Sequence, residues 1–381
     1  MKKTEGTLHQ ARRLVRDYTG EETVGEFKRL FDRDAVEAFE VLSRDHAGDE
    51  PADEFERFVY RVKIFFVGLS SKLSPARRLV FVVALLLASW GVLDVFLDIP
   101  DVPSLLLLST TLFFFLFTME LVDRVRVRDE LEIAKALQRD LLPRASPELP
   151  GYDFAHSCRT ANEVGGDYYD FLPLPDGRIA LIVGDASGHG MAAGLLMAIA
   201  NATLKTAIDV DPTPRRAAEV LNRTLNQTGD RRAFMSLFYG VLEPRTGELD
   251  FVCAGHPFPL LRRRDGRVEE LGEGGLPLGM KPDLRPRTGN ARLAPGDVLL
   301  LYSDGLVEAV RPDGESFGYE RLRGLLRASA SPRAMHDHVL AEFDRFVGSE
   351  KLHDDLTLVI VARDEAAPGP APADDSNDSP A

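Results

Sequence analysis

The sequence predicts a layered α+β domain preceded by a two-helix apolar hairpin and a helical linker. Short β-type runs separated by turns fill the chain from about residue 148 to 362. Two stretches of about 19 apolar residues lie ahead of that region. Four aspartates stand in short glycine-rich or acidic motifs at predicted strand ends. The formal net charge of -14 over 381 residues argues against nonspecific nucleic-acid binding, and no long basic run opposes it. The two cysteines, Cys158 and Cys253, lack a metal-ligand or redox spacing and read as buried free thiols in a reducing compartment.

Residues 1–75 read as a helical cytoplasmic region. Met1-Lys2-Lys3 is followed by polar Thr4-Glu5-Gly6 rather than an apolar core, so no secretory signal is expected. Phe27, Leu30, Phe31, Ala38, Phe39 and Leu42 follow a helical period. So do Phe55, Phe58, Val59, Val62, Phe65, Phe66 and Leu69, which share their helix with Arg57, Arg61 and Lys63. This second helix fits a lipid interface or packing on its neighbour, and the pattern leaves both open.

Residues 76–122 form the expected membrane hairpin, with spans at 79–97 and 104–122. The first is apolar apart from Ser89, Gly91 and a late Asp94; the second contains Leu105–Leu108 and Phe113–Phe117 without a polar stripe. Each can cross a hydrocarbon core of roughly 30 Å. Lys72, Arg77 and Arg78 precede the first span, and Arg124, Arg126 and Arg128 follow the second. The connector from Asp98 to Pro103 has no Lys or Arg. The positive-inside rule then predicts an inner (cytoplasmic) membrane protein with the N-terminus and the catalytic domain in the cytoplasm.

Residues 123–143 read as a helical linker ended by Pro143. Val127, Leu131, Ala134, Gln138 and Leu141 alternate at spacings of four and three, the seam of a two-stranded coiled coil, and this predicts a homodimer through the linker. A helix packed on its own domain is the alternative.

In the domain at 148–363, strands are expected at Ile179–Val183, Ser236–Leu242, Glu248–Cys253, Val298–Tyr302 and Leu356–Val361. Helices are expected at Gly190–Ala207 and Thr213–Asn226, the latter opening on Thr213-Pro214. Helices inserted together between hairpin-like strands favour α+β layers over a doubly wound parallel sheet. Residues 364–381 are rich in Ala, Pro, Asp and Ser and are expected to be a disordered tail.

The four aspartates are Asp167 in Glu163-Val-Gly-Gly-Asp-Tyr-Tyr-Asp170, Asp185 in Gly184-Asp-Ala-Ser-Gly-His-Gly190, Asp304 in Ser303-Asp-Gly305 and Asp354 in Asp354-Asp-Leu-Thr357. Carboxylates on separate strands meet only if the fold brings them together. Once clustered they repel unless a cation neutralises them, and Mg²⁺ and Mn²⁺ prefer oxygen ligands. The residues alone therefore point to a metal-dependent hydrolase.

These motifs, with Ala254-Gly-His-Pro257, stand in an order and spacing that resemble the metal-dependent protein phosphatases. The likeness is to the SpoIIE/RsbU-type bacterial branch of the protein phosphatase 2C (PPM-type) superfamily. Leu131 to Pro143 also resembles the linker before those catalytic domains, so the likeness covers roughly 131–363. It implies a central β-sandwich flanked by helices, with two Mn²⁺ or Mg²⁺ ions at one end. Asp185 would bridge both ions and the Ala186 carbonyl would add a ligand. Asp167 would serve one ion, and Asp304 and Asp354 the other. Asp355, Asp170 and Glu163 would be structural. The implied activity is hydrolysis of phosphoserine or phosphothreonine on a small phosphoprotein, an anti-sigma-factor antagonist in partner switching.

His189, four residues after Asp185, reads as a residue at the start of a helix, with a general-acid role as the alternative; His256 reads as structural. Eukaryotic members of the superfamily hold phosphate with an Arg near the first acidic motif. Arg159 lies in that neighbourhood, although the SpoIIE/RsbU-type branch does not generally depend on it. Two competing readings are a non-catalytic binding module on the same fold and a diguanylate cyclase. Degenerate modules lose metal ligands, whereas all four aspartates are present. The cyclase reading rests on Gly165-Gly-Asp-Tyr-Tyr169 alone, without the Glu-Phe that normally follows that motif.

Overall fold

The computed structural model describes residues 53–96, 103–228, 233–327, 331–348 and 352–365. The predicted helix around Phe27–Leu42, most of the 98–103 connector and the tail beyond 365 lie outside these. The chain divides into two compact units, Met1–Arg126 and Val127–Ala381.

In the first unit, helix α1 (Glu54–Lys72) starts at Asp53, whose carboxylate accepts the Phe55 and Glu56 N–H groups. Its Ile64 is buried while Phe55, Val59, Val62, Phe65 and Phe66 are exposed. Helix α2 (Pro75–Phe96) and helix α3 (Pro103–Leu141) follow. The Arg78 guanidinium donates to the Ser70 and Ser71 carbonyls, closing the end of α1 against the start of α2. Small and polar groups bring α2 and α3 together: Ala84 is buried, Ser109 Oγ donates to its carbonyl at 2.9 Å, and Phe81 meets Phe113 edge to face. Arg77 pairs with Asp123 at 2.6 Å at the charged base of the pair. Leu79, Leu86, Trp90, Leu107, Phe114 and Phe117 point outward. Both helices are long and apolar enough to cross a membrane.

In the second unit, two antiparallel five-stranded sheets face each other. The first has the order β1 (Tyr152–Arg159), β10 (Leu356–Arg363), β9 (Val298–Tyr302), β6 (Leu260–Arg262) and β7 (Val268–Glu270). The second runs β2 (Asp167–Pro173), β3 (Ile179–Ala186), β4 (Met235–Glu243), β5 (Glu248–Ala254) and β8 (Thr288–Arg292). Alternation places the layers. Ile179, Leu181 and Val183 of β3 and Val359 and Val361 of β10 fill the space between the sheets. Ala180 and Ile182 face helices α4 (Met191–Val210) and α5 (Pro214–Thr228) on the outside. Leu300, Leu358 and Ile360 face helices α6 (Asp304–Val307), α7 (Tyr319–Leu326) and α8 (Pro332–Val347) on the opposite side. Because both faces of β3, β9 and β10 are covered, they read as unbroken apolar runs. Helix α4 is also long and apolar enough for a membrane, but Met197, Ala200 and Leu204 bury one face of it on the sheet.

All five expected strands and both expected helices are present, within a few residues of their predicted limits. Strands β1, β2, β6, β7 and β8 lie outside the five expected runs. The inward set of β1 includes His156 and Cys158, and β2 opens on an acidic motif, so neither shows a clean apolar alternation. The linker seam also behaves differently from the coiled-coil expectation. In the second unit Gln138 is buried and Leu131, Ala134 and Leu141 are half-buried, while Ile133 and Leu137 are exposed. That face of α3 packs on its own domain.

Candidate metal centre

Strand register assembles the site. Asp167 on β2 lies directly opposite Asp185 on β3, and Asp185 opposite Ser236 on β4. Directly opposed residues point to the same face, here the inter-sheet face below Val183 and Phe238. The apolar interior therefore ends in a polar mouth. Across that mouth, β9 runs out into Ser303 and Asp304, and Asp354 and Asp355 lead into β10 beside Thr357.

Hydroxyls tie the two sheets together there. Ser303 Oγ donates to Asp167 Oδ2 at 2.8 Å and Thr357 Oγ1 donates to the same oxygen at 2.6 Å. Asp355 is buried as predicted for a structural acid: its oxygens accept the Ala161 N–H at 2.7 Å and the Gly166 N–H at 2.6 Å, pinning the loop before β2. Asp170 is buried with Tyr168, the Phe171 N–H and Lys205 as partners, again structural. Two glycines allow the close approach. A Cβ on Gly166 would stand 2.7 Å from the Ala186 carbonyl and 2.9 Å from Asp185 Oδ1, and one on Gly305 would overlap the Asp355 carbonyl.

The electrostatics are those of an uncompensated acid cluster. Burial pushes the Asp185 carboxyl up to about 9, and Asp167, Asp304, Asp354 and Asp355 push in the same direction. Burial likewise raises Asp167 to about 8, against the opposing effect of the Thr357 and Ser303 hydroxyls. Asp304 rises to about 6 through burial, then through Asp354 and Glu308. Among the described residues no three of these side chains converge tightly on one point. The donor set is oxygen only, and the Ala186 carbonyl borders it. Hard divalent cations fit such a set and would relieve its repulsion.

The remaining sequence candidates fall outside this cluster. His189 is exposed in the bend before α4. His256 is buried, bonds Ser236 Oγ through Nδ1 at 2.8 Å, and is pushed down to about 3 by burial, so it stays neutral. Arg159 is held by Asp344 through two hydrogen bonds of 2.5 and 3.2 Å. Glu163 pairs with Lys135 of α3 at 3.0 Å. Sequence reasoning missed Ser303 and Thr357, although both sit inside quoted motifs. Thr357 shares the strand face of Asp355 two residues earlier, which is the signal that could have found it. It also missed the role of Gln138, which bonds the backbone of Gly165.

Comparison with known proteins agrees with this architecture. The family model described as stage II sporulation protein E (SpoIIE) matches residues 175–364. Protein IcfG of Synechocystis sp. is 27% identical over 276 residues, 65% of this chain and 43% of its own length. Phosphoserine phosphatase RsbU of Bacillus subtilis is 26% identical over 245 residues, 62% of this chain and 71% of its own length. This chain thus spans less than half of that Synechocystis relative. Among solved structures, the SiaA-PP2C domain of Pseudomonas aeruginosa aligns with a TM-score of 0.56 at 24% identity, covering 63% of this chain and 98% of that domain. The PP2C domain with a regulatory fragment of SpoIIE from Bacillus subtilis aligns with a TM-score of 0.50 at 20% identity, covering 55% and 63%. The diguanylate-cyclase reading is thereby set aside, because Gly165–Tyr169 leads into a strand of this sandwich. The two-sheet domain of this chain belongs to the PPM-type phosphatase family, in its SpoIIE/RsbU branch.

Proposed function

We propose that the chain is a membrane-anchored, metal-dependent phosphoserine/phosphothreonine protein phosphatase. The observation that carries this is the cluster of Asp167, Asp185, Asp304 and Asp354 at one end of the sandwich, with the first three carboxyls raised by burial and by neighbouring carboxylates. Asp185 would be shared by two Mn²⁺ or Mg²⁺ ions. Asp167 would serve one, Asp304 and Asp354 the other, and the Ala186 carbonyl would add a ligand. Cations held there supply water activation and neutralise phosphoryl oxygens. The chain's own part is positional. The Ser303 and Thr357 hydroxyls fix one oxygen of Asp167, and Asp355 fixes the backbone that brings Gly166 beside Asp185.

The substrate proposed is a phosphorylated anti-sigma-factor antagonist, supported by the relatives named phosphoserine phosphatase RsbU and RsbP. Membrane anchoring is supported by the outward apolar side chains of α2 and α3 and by the basic flanks of the predicted spans. A homodimer through the linker part of α3 would use Val127, Ile133 and Leu137, which are exposed.

The full chain in mild detergent should hydrolyse p-nitrophenyl phosphate with Mn²⁺. Undiminished turnover in EDTA, or in both Asp185→Asn and Asp304→Asn, would refute the mechanism. Comparison of the phosphoproteins in deletion and wild-type cells tests the substrate. Light scattering of the detergent-solubilised chain tests the dimer, which a monomer would exclude.

A further inference from the structure

A cavity of about 170 Å³ opens beside the carboxylates and shares Asp354 with them. Ala309, Val310, Val347 and Leu352 form its apolar lining, and Glu308, His353 and Asp354 its polar lining. Hydrogen bonds hold the segment that forms one of its walls. Glu308 N–H donates to the Asp304 carbonyl at 2.8 Å, and Phe317 N–H donates to the Ala309 carbonyl at 2.9 Å. Arg311 Nε bonds the Phe346 carbonyl at 3.1 Å, tying this segment to the end of α8. Val310 nonetheless stays 45% exposed.

We infer that this cleft is a specificity subsite that receives an aliphatic side chain adjacent to the phosphorylated residue of a protein substrate. The inference rests on the phosphatase reading and deepens it. A phosphoserine whose phosphoryl group reaches Asp304 and Asp354 places its chain neighbours, with Cα atoms about 3.8 Å apart, over the adjoining surface. The cleft has room for one aliphatic side chain, and its lining rewards apolar burial. The Glu308 carboxylate in the lining repels an acidic residue at the same position. The subsite therefore selects by attraction and by exclusion together.

The test uses the full chain with Mn²⁺ and three probes: p-nitrophenyl phosphate and two synthetic peptides with phosphoserine flanked on both sides by Leu or by Asp. Two variants address the lining: Ala309→Leu fills the cleft, and Val310→Asp, at an exposed position, charges it. The expected result is a Leu-over-Asp preference in kcat/KM of about tenfold or more, the scale of small apolar pockets. That preference should collapse in either variant while turnover of p-nitrophenyl phosphate stays unchanged. Equal rates on the two peptides, no rate on either, or a preference that survives both substitutions overturns the subsite alone. Failure of the unaltered chain to hydrolyse p-nitrophenyl phosphate overturns the phosphatase reading, and the subsite with it.

Discussion

The side-chain amide of Gln138 and the backbone of Gly165 exchange two hydrogen bonds. Gln138 Nε2 donates to the Gly165 carbonyl at 2.6 Å, and the Gly165 N–H donates to Gln138 Oε1 at 3.0 Å. Both groups are buried, and Gly165 is two residues from Asp167. Gln138→Leu keeps the volume but strands a buried N–H and C=O, costing about 2 kcal/mol or more. A lowered thermal midpoint with a reduced kcat is expected, and calorimetry with steady-state kinetics checks both.

Asp354 and Asp355 are neighbours with opposite surroundings, which predicts opposite phenotypes. Asp355 is buried on two backbone N–H groups, so Asp355→Ala should lower stability by about 2–4 kcal/mol in denaturant titration. Asp354 is exposed, so Asp354→Asn should remove activity at nearly unchanged stability. Equal stability losses would contradict the division of roles.

Ser303 and Thr357 lower the Asp167 carboxyl toward ionisation against the effect of its burial. Ser303→Ala and Thr357→Val should let it rise further. A proton then competes better with a cation, and more so at pH 6 than at pH 8. The Mn²⁺ concentration giving half-maximal activity should increase in both variants, with the larger increase at the lower pH.

The raised carboxyls also set how the metal-free protein responds to pH. Asp167, Asp185 and Asp304 bind protons more tightly folded, at about 8, 9 and 6, than in the unfolded chain, where an aspartate titrates near 3.8. Their contribution to stability is therefore fully present below about pH 4 and is lost as pH rises toward 9. In EDTA the thermal midpoint should fall between pH 5 and pH 9 by calorimetry. Asp185→Asn should flatten that fall, and Mn²⁺ should raise the midpoint most at alkaline pH.

Much of this was legible from particular residues. The four aspartates were marked by glycines and by strand ends, and β3, β9 and β10 by apolar runs that only strands buried on both faces can carry. Asp355 reads as structural in its motif, and in the fold it accepts the Ala161 and Gly166 N–H groups. The hydroxyl clamp was not legible, because Ser303 and Thr357 meet Asp167 only through sheet-to-sheet packing between residues more than a hundred positions apart. Gln138 was assigned to a helix seam for a related reason. The 3.5-residue period says that a face is buried but not against what, and here the partner is Gly165.

The position of β10 in its sheet has a consequence for the order of synthesis. This last strand of the domain lies between β1, the first, and β9. A nascent chain that has emerged only through β9 has the Asp167–Asp185 pair on one sheet, but the facing sheet is open. It lacks Asp354, Asp355 and Thr357 together. The ribosome must deliver the chain through Arg363 before the acid cluster is complete, so if the proposed function holds, a product truncated before β10 would be inactive.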